Sequence, residues 1–330
     1  MIKQKIKDVF SSDWVLADGA MGTNLFLRGL ETGASPEEWN IDNPKKIGQL
    51  HDEFIEAGSQ IILTNSFGGS SARLKLHGFQ EKVGEINNAA AEIARNSADK
   101  VNDNIIVVGS VGPTGELFDP LGSLQYADAV EIFHEQMDAL AMGGVDLIWI
   151  ETLSALEELK AAIDAAKRTD LPICCTMSFD TNASTMMGIN PTSFAEFCEK
   201  FEVFGYGGNC GIGPSEMIDT ICKLSEVKNQ SSNIIAKGNC GIPSFKDGEI
   251  VYEGSPEIMG KYAIIARKAG AKIIGGCCGT TPTHIRKMRE ALDVLPSEKL
   301  YSEIDHFEKL GKPWKDLNQN LEKKIRKGRR

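Results

Sequence analysis

The chain has 330 residues, 42 % of them hydrophobic, with 33 glycines, 12 prolines and a formal net charge of −10. That is enough apolar content for a large core, and α/β barrels of this length form one domain. The acidic balance excludes nucleic acid as the main partner, because phosphate neutralisation needs a basic face. The one strong basic run, 323–330, reads as a solvated tail. The opening MIKQKIKDVF has no apolar core and no small-residue cleavage site, so no secretory signal is expected. No apolar run reaches ~18 residues, so no membrane span is expected either, and the chain is assigned to the cytoplasm.

In chain order, eight short apolar runs alternate with helical periodicity: 14–18, 60–65, 104–110, 145–151, 172–178, 203–209, 233–238 and 271–276. Near-continuous apolar content predicts strands buried on both faces, as in a parallel sheet. The first long helix spans 43–57. Asn43 and Pro44 open it, Ile47, Leu50, Phe54 and Ile55 share a face, and Gly58 ends it. Ser154 and Glu157 form a capping-box pattern after the fourth strand, and Thr281-Pro282 opens the last helix. AGSQIILTN, GGVDLIWIE and AGAKIIGGC echo one another as helix end, glycine and buried strand. Eight such units predict a single (β/α)8 TIM barrel over 1–296. The more polar 297–330, with Trp314 and the basic tail, reads as an extension outside the barrel or between subunits of a homo-oligomer.

Barrel chemistry sits at the C-terminal ends of the strands. Those ends here carry Asp18 to Thr23, Asn65 to Gly68, the GPTG turn, Glu151-Thr152, Asn209-Cys210-Gly211, Asn239-Cys240-Gly241 and GGCCGTTP. Cys277 and Cys278 lie between glycines at the eighth end, and Cys210 lies in a glycine-rich turn at the sixth. Three thiolates with one open position are the make-up of a catalytic zinc site. Such a site binds and deprotonates a substrate thiol yet leaves it electron-rich, whereas a free thiol of pKa ~8.5 is mostly protonated. Cys240 competes for a ligand role, while Cys174, Cys175, Cys198 and Cys222 read as core.

The DGAMGT, TNSFG, GPTG, ET, GNC and GGCCGTTP segments, in that order from about Asp18 to about Leu292, resemble the homocysteine-binding methyltransferase family, most of all its bacterial betaine–homocysteine S-methyltransferases. The resemblance implies a zinc-dependent homocysteine S-methyltransferase in methionine biosynthesis. It makes Cys210, Cys277 and Cys278 the ligands of one zinc ion, with the substrate thiolate as the fourth. It places Asp18 and Glu151 on the homocysteine ammonium, Glu151 also being counted with the three cysteines as catalytic. The backbone N–H groups around Ala20, Met21, Gly22 and Thr23 are assigned to the amino-acid carboxylate, and Gly19, Asn65, Phe67, Asn209 and Trp39 to substrate binding.

The expected reaction is in-line attack of the thiolate on a methyl group of a small onium donor. Glycine betaine, which would leave as dimethylglycine, heads the donors. Nothing in the chain resembles cobalamin or folate modules, and no Rossmann fingerprint follows an early strand. An aromatic cage would suit the cation, with Trp39, Phe67, Tyr206 and Phe179 as candidates. Some betaine enzymes of the family carry tyrosines where this chain has Thr152 and Gly68. A sulfonium donor, dimethylsulfoniopropionate or S-methylmethionine, therefore stays open. So do a homocysteine-activating subunit serving a separate corrinoid or folate protein, and a metal-binding barrel without catalysis.

Overall fold

The eight strands form where the apolar runs lie. In a computed structural model, residues 4–101, 104–180, 183–229, 231–241, 243–246, 249–294 and 301–312 are described. The first seven strands are β1 (Val15–Leu16), β2 (Ile61–Leu63), β3 (Ile106–Val111), β4 (Leu147–Leu153), β5 (Ile173–Met177), β6 (Gly205–Cys210) and β7 (Asn233–Gly238). A hairpin that the apolar pattern did not announce follows, β8 (Pro243–Lys246) with β9 (Glu249–Tyr252), and then β10 (Ile273–Gly276). The parallel sheet runs β1-β10-β7-β6-β5-β4-β3-β2. A bridge between Ala17 and Ile61 closes it into a (β/α)8 TIM barrel. At the seam the Gln60 N–H donates to the Leu16 carbonyl at 2.7 Å, and the Asp18 N–H to that of Ile61 at 3.0 Å.

Period-two alternation divides the core. Val15, Ala17, Ile61, Leu63, Ile106, Val108, Leu147, Trp149, Cys174, Ile235 and Ile273 fill the barrel interior, one residue in two along each strand. Ile6 of the short helix Gln4–Val9 joins this inner cluster. The residues between them, such as Leu16, Ile62, Val107, Ile148 and Cys175, pack outward under the helices. Buried on both faces, these strands carry the near-continuous apolar runs seen in the sequence.

One long helix follows each barrel strand: Pro44–Glu56, Val83–Asp99, Tyr126–Met142, Leu156–Ala166, Pro191–Lys200, Pro214–Val227, Pro256–Lys268 and Pro282–Asp293. The first buries Ile47, Leu50, Phe54 and Ile55, as the spacing requires. Thr281 and His284 form a capping box on the last. The expected Ser154–Glu157 box is absent: the N-cap is Ala155, and Ser154 instead offers its carbonyl to the Thr185 hydroxyl. The cause is upstream, where Thr152 takes a left-handed φ of 64° and β4 shifts register between Ile150 and Leu153. The helix start moves with it.

The helix Glu303–Leu310 packs on the outside of the barrel. His306, buried, meets the Ser215 hydroxyl at 2.9 Å and the Tyr301 hydroxyl at 2.9 Å. Trp314 and the basic run 323–330 lie outside the described residues. Among the described residues no helix is long and apolar enough to cross a membrane.

His51, in the helix Pro44–Glu56, is fully buried, and neither ring nitrogen has a hydrogen-bond partner. Burial lowers its pKa from 6.5 to about 4, against a small opposing pull from Asp52. The unfolded chain therefore binds the extra proton first as pH falls. His51 is expected to cost nothing above pH 7 and progressively more from pH 6.5 to 4, on the order of 3 kcal/mol at the limit. Thermal unfolding of wild type and His51→Leu across that range checks it, and the variant's curve should fall less steeply.

Candidate metal centre and substrate site

The sulfurs of Cys210, Cys277 and Cys278 lie within 4.8 Å of one another, all partly exposed, at the ends of β6 and β10. Cys210 and Cys278 approach to 3.7 Å. Tetrahedral bonds of about 2.3 Å to sulfur set two ligands about 3.8 Å apart, so the spacing fits one soft divalent ion.

The backbone is bent to make this possible. Cys210 has a φ of 60° and Gly211 one of 77°, which turns the chain sharply as it leaves β6. Gly279, at 79°, does the same after Cys278. A side chain there would also enter the Tyr252 ring, since a Cβ would lie 2.3 Å from its Cγ. Asn239 ties the two ligand loops together. Its Oδ1 accepts the Cys278 N–H at 2.9 Å and its Nδ2 donates to the Gly211 carbonyl at 2.6 Å. The sequence placed Asn239 at a strand end, but only the fold reveals this bridging.

The charge state of the sulfurs points the same way. Hydrogen bonds to Cys277 and Cys278, and then burial, push the Cys210 thiol far up. Cys277 is lowered by its bond with Cys210, raised more by Cys278 and burial, and settles at about 12. Bonds from Cys210 and Cys277 pull Cys278 down to about 3, with the Tyr252 hydroxyl adding another. Each sulfur's ionisation opposes that of its neighbours. Ionising all three needs a cation among them.

Cys240 does not join them. Its thiol donates to the Gly254 carbonyl at 2.6 Å and lies 3.2 Å from His284 Nε2, fully buried. Cys174, Cys175 and Cys198 are buried, and Cys222 is half-buried against Tyr301.

Beneath the sulfurs lies a buried polar layer. Asp18 Oδ2 accepts the Leu63 N–H at 2.7 Å, and Oδ1 accepts Lys237 Nζ at 2.8 Å. Glu151 Oε1 accepts the Ser110 hydroxyl at 2.5 Å, and Asn209 Nδ2 reaches Oε2 at 3.5 Å. Asn209 also holds the strained Thr152: its Oδ1 accepts the Thr152 N–H at 3.1 Å, and its Nδ2 donates to the Thr152 hydroxyl at 2.6 Å. A β-branched residue at positive φ persists only when its surroundings fix it. Here the bulge lies within β4 at Glu151 and Thr152.

Burial pushes Glu151 up to about 7, with the Lys237 charge opposing it and Cys277 adding to the rise. Asp18 is raised by burial and drawn back by Lys237. Lys237 is opposed by burial, but Asp18 and Glu151 outweigh it and hold the ammonium above the ordinary lysine value. Lys237 and Ser110 were not singled out from sequence. The signal for Lys237 was a lone charge two residues after the inward Ile235 in an otherwise apolar strand.

The remaining assigned residues separate. In the DGAMGT turn, Ala20 N–H is spent on the Thr280 carbonyl at 3.1 Å, and the Thr23 hydroxyl accepts the Gly279 N–H at 3.2 Å. Gly19 is buried, while Met21 and Gly22 are partly exposed. Asn65 is buried, with its amide donating to the Pro36 carbonyl and Asn40 Oδ1. Phe67 is exposed and Trp39 half-buried, with Lys46 Nζ 4.5 Å above the Trp39 ring.

Tyr206 and Phe179 cannot form a cage. Tyr206 is fully buried, crosses Phe194 edge-on at 6.0 Å and bonds Glu199, while Phe179 packs on Phe194. Both lie in the outward-facing cluster under the helices. Gly68 exposes a residue that sequence reasoning missed. Its N–H donates to Glu37 Oε1 at 2.6 Å, and a Cβ at 68 would lie 2.9 Å from that oxygen. Glu37 is buried, is also bonded by Ser35, and has no cationic partner among the described residues.

Comparisons with known proteins give a family and a fold. The family model described as "Homocysteine S-methyltransferase" matches residues 15–292. The methionine synthase of Mycobacterium tuberculosis is 29 % identical over 303 residues, covering 86 % of this chain and 25 % of that protein. That of Mycobacterium leprae is 29 % identical over 296 residues, covering 84 % and 24 %. The chain thus spans about a quarter of the length of these curated relatives. Among solved structures, the homocysteine methyltransferase MmuM from Escherichia coli superposes in its metallated form with a TM-score of 0.73 at 22 % identity. That match covers 87 % of this chain and 99 % of the other. Its oxidized form gives 0.72 at the same identity and coverage.

Proposed function

The chain belongs to the homocysteine S-methyltransferase family, and from that premise we propose that it transfers a methyl group from a small onium donor to the thiol of homocysteine. The observation that carries this reading is the convergence of Cys210, Cys277 and Cys278 at two strand ends. That trio suits zinc, and MmuM, similar in fold, has a metallated form. A zinc ion held there would keep a substrate thiol ionised at neutral pH while leaving its sulfur nucleophilic.

The chain's own residues do the rest. The Tyr252 hydroxyl bonds Cys278 and its ring lies against Gly279, shielding that side of the sulfurs from water. Glu151, backed by Ser110 and Asn209, receives the substrate ammonium. Trp39 and Phe67 are the residues assigned to the donor. Next to Phe67 in the chain, Gly68 donates its N–H to the buried Glu37 carboxyl, an acceptor that suits a cationic donor. Thiolate and onium lose charge together as the methyl passes in line, so a water-poor pocket accelerates the step.

Because Glu151 titrates near 7, its ionised fraction rises about tenfold from pH 6 to pH 8. Homocysteine affinity is expected to rise over that range in wild type, and to rise about tenfold less in Glu151→Gln. Titration calorimetry at the two pH values measures both.

The test of the function is a donor panel. Glycine betaine, dimethylsulfoniopropionate and S-methylmethionine are each supplied with homocysteine, with and without a zinc chelator. Glycine betaine is the donor put first. Methionine formation that the chelator stops supports the reading, and no methionine from any donor sinks it. The likeness to methionine synthases favours one second reading, in which the barrel activates homocysteine for a methyl group carried by another protein. It predicts tight homocysteine binding with no turnover on any member of the panel.

A further inference from the structure

The resemblance places the homocysteine ammonium on both Asp18 and Glu151, yet in this chain Asp18 already holds a cation. Lys237 Nζ lies 2.8 Å from Asp18 Oδ1, and both side chains are almost fully buried. Burying an ion pair costs several kcal/mol per ion, so a purely structural pair here has little to recommend it.

The geometry gives the pair a use. Lys237 is on β7, opposite Gly275 of β10 in register. Asp18 follows β1, on the other side of β10. The ammonium therefore reaches Asp18 across β10 at a position where that strand has no side chain. Cys277 is two residues beyond Gly275, about 6.6 Å along the strand direction. Its N–H donates at 2.9 Å to the carbonyl of Gly238, the residue after Lys237. An ammonium has three donors. One goes to Asp18, the Trp149 ring centre lies 5.6 Å away, and no other acceptor is in hydrogen-bonding range among the described residues. Lys237 is a buried cation, held on one side, with donors unspent, beneath the sulfurs.

We propose that Lys237 receives the α-carboxylate of homocysteine, with Asp18 as the residue that positions it, leaving Glu151 for the ammonium. The zwitterionic head then lies along the Lys237–Glu151 axis with its thiol pointing up to the cysteines. This assigns the carboxylate to a side chain rather than to the backbone of residues 20–23, and makes Asp18 a positioning residue. The inference rests on homocysteine being the thiol substrate.

The test compares Kd values for homocysteine and for 3-aminopropane-1-thiol, which lacks the carboxylate, on zinc-loaded wild type and K237M. A charge-assisted bond is worth about 10–100-fold. Wild type is expected to bind 3-aminopropane-1-thiol weaker by that factor, and K237M to bind the two thiols within about threefold of each other. The inference is overturned if wild type binds both equally, or if K237M keeps the full discrimination. No homocysteine binding by wild type at all would instead sink the functional reading. If K237M fails to fold, D18N/K237M removes both charges of the pair and carries the same comparison, because the carboxylate site is lost in it too.

Discussion

Replacing Cys210, Cys277 or Cys278 singly with serine is expected to release the metal and lower kcat/KM by about 1,000-fold or more. Two effects combine. The remaining thiolate pair is a poor cage for a soft ion. Without the ion, the substrate thiol is mostly protonated and is no longer held beside the donor methyl. Cys240→Ser is the control. Its sulfur is committed to the Gly254 carbonyl and His284 and lies outside the cluster. It should keep one metal per chain. Metal content by atomic emission, with methionine formation, measures all four variants. Loss of metal from Cys240→Ser with retention in Cys278→Ser would reverse the ligand assignment.

Asp18→Ala is expected to destabilise the fold by about 3–5 kcal/mol, because it strands the Lys237 ammonium in the barrel interior. The Leu63 N–H loses its acceptor as well. Removing both charges, as Asp18→Asn with Lys237→Met, should restore much of that loss, since a neutral pair has no desolvation debt. Urea unfolding of the two single variants and the double gives the coupling directly. Additive effects would mean that the two groups do not sense each other in the folded chain. Coupling between them would make Lys237 an internal counter-charge where Asp18, Glu151 and the three cysteines lie together.

How far the sequence carried the reading follows from which signals are local. Each barrel strand lies in a near-continuous apolar or glycine-rich run because both of its faces are covered, so all eight were legible without knowing their partners. The three cysteines were legible because glycines flanked them at strand ends. Chain order and barrel closure then put the ends of β6 and β10 on the same rim.

What escaped depends on distance in space. Lys237 and Asp18 are far apart in the chain and meet only across Gly275. Asn239 bridges two loops, and no spacing pattern encodes that. Tyr206 and Phe179 looked like cage residues because aromatic content says nothing about which face of a strand it occupies. The parity of β6 sends Tyr206 outward to Phe194. The Ser154 cap failed for a related reason. A one-residue bulge at Thr152 shifts everything after it, and nothing in the letters Glu-Thr-Leu announces a positive φ. The β8–β9 hairpin, with strands of four residues each, is too short to stand out between β7 and its helix, yet it delivers Tyr252 to the cysteine cluster.

X-ray absorption at the zinc edge tests the central claim most directly, on protein loaded with one equivalent of zinc and measured before and after homocysteine. The account predicts three sulfur neighbours at about 2.3 Å in the free protein and four when homocysteine is present. Two or fewer sulfurs in the first spectrum, or no gain in the second, would contradict it.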